Sequence, residues 1–108
     1  MYYKRKYGLT DKNIRLYEER LREGISDRVC GTATKTGENE YDVDINRENI
    51  EWWIELGERS VSLENTIRHE LNHIRFGDCD KELPPPFNKL YRNLIAEPRA
   101  HLAAWFNI

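Results

Sequence analysis

Residues 62–77 read SLENTIRHELNHIRFG and predict a helix of ordinary length. The segment opens on Ser62, a residue that caps helix N-termini well, and closes on Gly77, which favours a C-terminal stop. Between these ends runs an apolar stripe with the i, i+4, i+7 spacing of one helix face: Ile67, Leu71 and Ile74. The pattern predicts that this stripe packs against the rest of the domain and that the opposite face borders a cleft.

The opposite face carries His69 and His73, and Glu70 directly follows the first histidine. Since an α-helix turns about 100° per residue, histidines four positions apart project from one side, close enough to hold one metal ion. Glu70 lies on the flank of that face, where it can take a proton from a metal-bound water without binding the metal. The sequence therefore predicts a zinc-dependent metallopeptidase. A solvated helix that happens to carry two histidines is the structural alternative.

A catalytic zinc site has three protein ligands and leaves the fourth position to water, so one more ligand is needed. We expect it to be Glu97, from a helix that begins at Phe87. The apolar residues of that helix share one face: Phe87, Tyr91, Leu94, Pro98, Leu102 and Trp105. Glu97 and His101 lie one turn apart beside this face, and His101 is expected to hold a ligating side chain by a hydrogen bond. Asp80, Cys79 and His101 stay open as alternative third ligands.

Pro98 directly follows the expected ligand. An interior proline removes a helical hydrogen bond and crowds the carbonyl four residues back, here that of Leu94. We therefore predict that the helix is kinked or restarted here, with Glu97 at the break between two helical pieces. The three prolines at residues 84–86 predict a stiff connector between the two helices.

Together these segments resemble the gluzincins, metallopeptidases that combine a two-histidine helix with a glutamate ligand from a later helix. The small chain, with His69-Glu70-x-x-His73 followed by Glu97-x-x-x-His101, is most similar to the minigluzincins, very small metallopeptidases described from archaea. The resemblance implies that His69, His73 and Glu97 bind one zinc ion per chain and that Glu70 is the general base and acid. It also implies a zincin-like architecture of three strands and three helices, and a latent zymogen whose cleft is occupied by a chain terminus.

The aromatic end of the chain, residues 105–108, could fill such a cleft in its own molecule or in the neighbour of a homodimer. Core packing of Trp105 is the simpler expectation. Segments 1–9 and 104–108 are thus candidate regulatory segments of a single domain that spans residues 1–108.

The region before the two-histidine helix predicts one helix and then strands, and hence an α+β fold. The helix is expected over residues 10–24, with a cap at Thr10 or Asp11 and a stop at Gly24. Its apolar residues have helical spacing: Ile14, Tyr17 and Leu21.

Strands are predicted from alternation of apolar and polar residues. Residues 41–46 alternate without a fault, which is typical of a half-buried strand, and a turn at 36–39 connects them to a strand at 29–35. A third strand is expected at 50–56, where Ile50, Trp52, Ile54 and Leu56 share one face.

Composition favours one cytoplasmic domain. The 108 residues are 39% hydrophobic and 33% charged, with a net charge of −2, which gives no broad basic surface for nucleic acid. Nucleic-acid binding by the basic segment 1–7 is therefore the weaker alternative, and that segment lacks the apolar run of a signal peptide or membrane helix. Cys30 and Cys79 form no metal motif and are expected to be plain thiols.

The expected reaction is hydrolysis of peptide or protein substrates. The metal lowers the pKa of its water toward about 7 and polarises the scissile carbonyl, while Glu70 carries the proton to the leaving amine. Donors to the oxyanion stay open among Tyr91, Arg92, Arg99 and His101. The alternative is a zinc-binding regulatory or interaction module without catalysis, although such a module has no need of Glu70.

Overall fold

The computed structural model describes residues 2–18 and 29–106. Its helices and strands follow in the order α1 (Tyr2–Lys6), β1 (Asn13–Glu18), β2 (Gly31–Gly37), β3 (Glu40–Ile45), α2 (Arg47–Glu55), α3 (Leu63–Arg75), α4 (Phe87–Tyr91) and α5 (Glu97–Phe106). A 3₁₀ turn (Asp78–Asp80) follows α3, and a π-helical turn (Arg92–Ala96) joins α4 to α5. The α+β class and the three-stranded sheet are confirmed.

The sheet is mixed, with the strand order β1-β3-β2. Strand β3 runs parallel to β1 and antiparallel to β2, so that Val43 lies between Leu16 and Ala33. The predicted strand at 41–46 is therefore confirmed, but both of its faces are buried. On its second face, Asp42 is neutralised by an ion pair of 2.9 Å with Arg15 of β1, as a buried carboxylate requires.

The predicted hairpin of β2 and β3 is confirmed. Its turn is shorter than expected, because residues 36 and 37 belong to β2 and only Glu38 and Asn39 form the loop. Asn39 has a φ of +54°, a conformation that asparagine tolerates in two-residue hairpin loops.

The helix predicted over 10–24 is wrong for residues 13–18, which form β1, and residues 19–24 lie outside the described part of the chain. The apolar residues Ile14 and Tyr17 also fit an extended chain. Pairing with the buried strand β3 satisfies the backbone of this segment and overrides its helical spacing.

The strand predicted over 50–56 is also wrong, because Arg47–Glu55 forms α2. Asn46 follows the last residue of β3 and is the N-cap of α2. Its side chain accepts a hydrogen bond from the Asn49 N–H at 3.1 Å. A segment of alternating apolar residues can also form a helix when only some of its apolar side chains are buried. Here Ile50 is the buried residue of α2.

Helix α3 has the bounds that its capping residues predict. The Ser62 hydroxyl accepts from the Asn65 N–H at 3.0 Å, and Gly77 has a φ of +74°, a left-handed conformation that suits glycine. Leu71 and Ile74 pack in the core with the inward side chains of β3. This contact directs the histidine face of α3 away from the hydrophobic core.

The C-terminal arm, residues 87–106, exposes the face that was predicted to be buried. Its large apolar residues are exposed: Phe87, Leu90, Leu94, Ile95, Leu102, Trp105 and Phe106. The buried residues are alanines: Ala96, Ala100, Ala103 and Ala104. Small side chains let α5 approach α3 closely, and the Arg68 Nε donates to the Ala104 carbonyl at 3.1 Å. Core packing of Trp105 is therefore also wrong.

Across residues 2–18 and 29–106, we find no helix with the length and apolar character that crossing a membrane would require.

Candidate metal centre

Three side chains from two helices meet at one point. His69 and His73 lie one turn apart on α3, and Glu97 is the first residue of α5. The Glu97 carboxylate lies 3.0 Å from His69 Nε2 through Oε2 and 3.1 Å from His73 Nε2 through Oε1. The two Nε2 atoms are 3.2 Å apart. The structure therefore brings together the three residues predicted as metal ligands.

Glu97 reaches this point because the helix is interrupted directly before it. Its N–H bonds the Arg92 carbonyl five residues back, which closes the π-helical turn. The wider turn relieves the clash that Pro98 would make with the carbonyl of Leu94, and Pro98 then lies in the first turn of α5, where its missing N–H costs little. The irregularity predicted at Pro98 takes the form of this π-helical turn, after which α5 begins at Glu97.

Asp78 sets the orientation of the His73 ring. Its Oδ2 lies 3.0 Å from His73 Nδ1, and since a carboxylate can only accept, Nδ1 donates. A neutral His73 then presents the lone pair of Nε2 toward Glu97, which is another acceptor. Two acceptors 3.1 Å apart need a proton or a cation between them.

The pKa values reflect this arrangement. Burial lowers the pKa of His73, but the carboxylates of Glu97, Glu70 and Asp78 outweigh it and raise that pKa to about 9. Hydrogen bonds from His69 and His73 hold the pKa of Glu97 well below its ordinary value. The cluster therefore favours positive charge where the three side chains meet.

Glu70 lies beside the two histidines and is only 4% exposed. A carboxylate oxygen of Glu70 and one ring nitrogen of each histidine lie within 4.8 Å of one another. Burial raises the pKa of Glu70 to about 7 against the opposing effect of the histidines. A carboxyl group with this pKa can both accept and release a proton near neutral pH.

The donor set fits zinc. Imidazole nitrogens and a carboxylate oxygen are ordinary zinc ligands, and tetrahedral bonds of 2.0–2.2 Å place neighbouring ligand atoms about 3.4 Å apart. The donor atoms of His69, His73 and Glu97 are separated by 3.0–3.2 Å. Little movement would therefore be needed for these three atoms to share one ion.

The alternative third ligands have other contacts. Asp80 pairs with Lys35 at 2.8 Å, and the Cys79 thiol donates to the Ala33 carbonyl at 3.6 Å. Burial raises the pKa of Cys79 to about 12, so that its metal-binding thiolate is disfavoured. The His101 ring meets the His69 ring edge to face, with centroids 6.4 Å apart. Asp78, and not His101, lies within hydrogen-bond distance of a candidate ligand, His73.

The three residues and Glu70 border a cleft of about 1170 Å³. One wall is β2, an edge strand of the sheet, and the opposite wall includes Tyr91 and Arg92. Tyr91 and Arg99, two of the candidate oxyanion donors, both contact Asp78, at 2.5 Å and 2.6 Å. The Tyr91 hydroxyl and Arg99 Nη2 thus donate to the carboxylate that contacts His73.

Two residues of this centre escaped the sequence analysis, Asp78 and Gly31. Asp78 follows the Gly77 stop of α3, and a carboxylate five residues after a candidate ligand was the available signal. Gly31 carries no local signal, since its close approach to Glu70 depends on how β2 crosses α3.

Comparison of the chain with models of protein families, with curated proteins and with solved structures finds no match.

Proposed function

We propose that this chain is a zinc-dependent metallopeptidase of the gluzincin type, which acts on peptide or protein substrates in the cytoplasm. The observation that carries the proposal is the meeting of His69, His73 and Glu97 from two helices, with the buried carboxyl of Glu70 beside them. A site that only stored zinc would need the first three residues alone.

Zinc held by His69, His73 and Glu97 would supply a Lewis acid that polarises the scissile carbonyl and lowers the pKa of the attacking water to about 7. Glu70 accepts the proton of that water and delivers it to the amine nitrogen as the C–N bond breaks. Its burial restricts solvent access to the carboxyl group. This limits proton exchange with bulk water during the transfer.

Strand β2 offers the means of holding a peptide. It is an edge strand, and its residues 31–35 line the cleft beside Glu70. An extended substrate can pair its backbone with such an edge, which fixes the position of the scissile bond while demanding little of the side chains. We therefore infer low sequence selectivity.

Latency is part of the proposal because of the resemblance to the minigluzincins. Tyr7 and Leu9 belong to the hydrophobic core, so segment 1–9 contributes to the domain itself. Trp105 and Phe106 are exposed at the end of α5. Within the C-terminal segment 104–108, Ala104 is buried against α3. We therefore propose that residues 105–108 block the cleft, in their own molecule or in the neighbour of a homodimer.

The first test is the zinc content per chain of the wild type, Glu97→Gln and Glu64→Gln, measured by elemental analysis after dialysis against a weak chelator. Glu64 is an exposed carboxylate of α3 that pairs with Arg68 at 3.2 Å, which makes it a matched control. We expect one zinc per chain in the wild type and the control, and an affinity at least about 100-fold weaker in Glu97→Gln. A wild type that holds no added zinc would contradict the proposal.

The second test is peptide cleavage by zinc-loaded Glu70→Gln. This variant should keep its zinc and cleave fluorogenic peptides about 10²–10⁴-fold more slowly than the wild type, because it lacks the group that transfers the proton. Activity is measured before and after removal of residues 105–108, which leaves the buried Ala104 in place. A wild type that holds zinc but cleaves nothing in either form would instead favour a non-catalytic zinc module.

A further inference from the structure

The Asp78 carboxylate contacts three side chains from α3, α4 and α5. Its side chain is only 6% exposed, and its two oxygens have different partners. Oδ2 faces His73 Nδ1 at 3.0 Å, while Oδ1 accepts from the Tyr91 hydroxyl at 2.5 Å and from Arg99 Nη2 at 2.6 Å. Arg99 also donates to the Tyr91 oxygen at 3.1 Å.

The different partners of the two Asp78 oxygens fix the direction in which Oδ2 points. A buried carboxylate is costly unless it is paired and hydrogen-bonded. Tyr91 and Arg99 occupy Oδ1 and leave Oδ2 aimed at the imidazole. A carboxylate that served only to neutralise Arg99 would more often present both oxygens to the guanidinium, as in a bidentate pair.

Arg99 is itself fixed in place. Its guanidinium lies over the Phe76 ring, with the Cζ atom 4.6 Å from the ring centroid. It belongs to α5 and follows Glu97 by two residues. The contacts therefore form a closed ring that runs from His73 through Asp78 and Arg99 to α5, and back to His73 through Glu97 at 3.1 Å.

We propose that Asp78 is the positioning residue of His73, and that Tyr91 and Arg99 hold Asp78 so that His73 Nε2 is aimed at the metal position before any ion binds. This inference rests on the proposed function, since it assigns a task to residues around the same centre. It also gives the Tyr91 hydroxyl and Arg99 Nη2 a task other than stabilising an oxyanion, because both donate to Asp78.

The test is the dissociation constant for Co²⁺, measured by competition with a chromophoric chelator, together with the visible absorption spectrum of the Co²⁺ protein. Asp78→Asn keeps the shape of the side chain and removes its charge. We expect its dissociation constant to rise about 10–100-fold, as for other partners of metal-bound histidines. The Co²⁺ spectrum should change as well, because His73 is no longer held in one orientation.

Tyr91→Phe removes a single oxygen, so it tests the inference even if Asp78→Asn fails to fold. Its dissociation constant should rise about threefold to tenfold, with thermal denaturation showing that the fold is kept. Glu64→Gln is the matched control and should stay within about twofold of the wild type.

The outcomes separate the two proposals. A wild type that binds Co²⁺ and loses it in Glu97→Gln, but is unchanged in both Asp78→Asn and Tyr91→Phe, would overturn the positioning role and leave the metal centre intact. A wild type that binds no Co²⁺ would overturn both. Weaker binding with an altered spectrum in Asp78→Asn, and a smaller loss in Tyr91→Phe, is the result expected.

Discussion

Gly31 is a residue without a side chain that lies against Glu70 of the candidate metal centre. A Cβ at this position would lie 3.0 Å from the Asp44 carbonyl oxygen, 3.0 Å from Thr66 Cγ2 and 3.2 Å from Glu70 Cγ. The first of these neighbours is backbone and cannot turn away. The absence of a side chain at Gly31 is therefore what lets β2 cross α3 directly at Glu70.

We predict that Gly31→Ala lowers the free energy of unfolding by about 1–3 kcal/mol, because the added methyl group overpacks this crossing. Chemical denaturation measures the loss. Since the strand or the Glu70 side chain must shift to make room, peptide cleavage should fall as well.

Gly37→Ala is the matched control in the same strand. Its added Cβ would meet the end of the Glu40 side chain, at 2.7 Å from Oε2, and that flexible carboxylate can move away. The control should therefore stay close to the wild type in stability. An equal loss in both variants would show that the crossing at Gly31 has no special role.

At the scale of elements, α5 and the turn before it place alanines against α3 and expose the larger apolar residues. Helices usually bury their bulky stripe, and this one is reversed because a close approach is needed. Glu97 must reach two histidines on the neighbouring helix, and alanines at the contact allow the two backbones to come near each other. Position-specific packing therefore decides the orientation of α5, and hydrophobicity alone does not.

This orientation predicts an unusual pair of stability effects. Leu94→Gln should change the free energy of unfolding by no more than about 0.5 kcal/mol, because Leu94 is 71% exposed. Ala100→Leu should lower it by about 1–3 kcal/mol, because Ala100 is completely buried. Urea denaturation of both variants measures the two effects.

Leu71→Ala serves as the reference for a leucine that is buried in the core, with an expected loss of about 2–5 kcal/mol. A comparable loss in Leu94→Gln would mean that the bulky face of the arm is packed in solution, contrary to the structure.

At the scale of the whole molecule, polar contacts join the sheet to the chain that follows α3. Asp80 forms an ion pair of 2.8 Å with Lys35 of β2 and accepts a hydrogen bond of 3.0 Å from the Tyr41 hydroxyl of β3. Asp78, two residues earlier, contacts α3 and α5. The short segment Asp78–Asp80 thus connects the sheet to both helices of the candidate metal centre.

The Asp80 contacts predict a pH dependence of stability. Lys35 and, to a smaller extent, Tyr41 hold the pKa of Asp80 below its ordinary value of 3.8, against the opposing effect of burial. A carboxyl group whose pKa is lower in the folded state stabilises the protein above its unfolded pKa, and this contribution is lost as the pH falls through the folded value. Asp80→Asn should therefore lower the melting temperature at pH 7 and have no effect near pH 2.

Thermal denaturation of the wild type and Asp80→Asn from pH 2 to pH 7 provides the measurement. Lys35→Met should reproduce the loss at pH 7, because it removes the main cause of the lowered pKa. A difference between the wild type and Asp80→Asn that stays constant over the whole range would contradict the role of the charge.

Local sequence determined the elements whose signals lie within a few residues of one another. The caps Ser62 and Gly77 set the ends of α3, and the helical repeat placed His69 and His73 on one side of it, because these effects act over one or two turns. The hairpin of β2 and β3 and the helix irregularity before Pro98 also depend on signals from residues close together in the sequence. Glu97 was also predictable as a partner of the histidines, since few carboxylates lie at a suitable helical position.

Only the tertiary structure decided the features that depend on contacts between distant segments. The parallel pairing of β1 with β3 turned a helical pattern into a strand, and the end of β3 at Asn46 began α2 where a strand was predicted. The support of His73 by Asp78, the approach of Gly31 to Glu70 and the reversed face of α5 have the same origin. Backbone pairing and close packing are satisfied between segments far apart in the chain, so no short stretch of sequence specifies them.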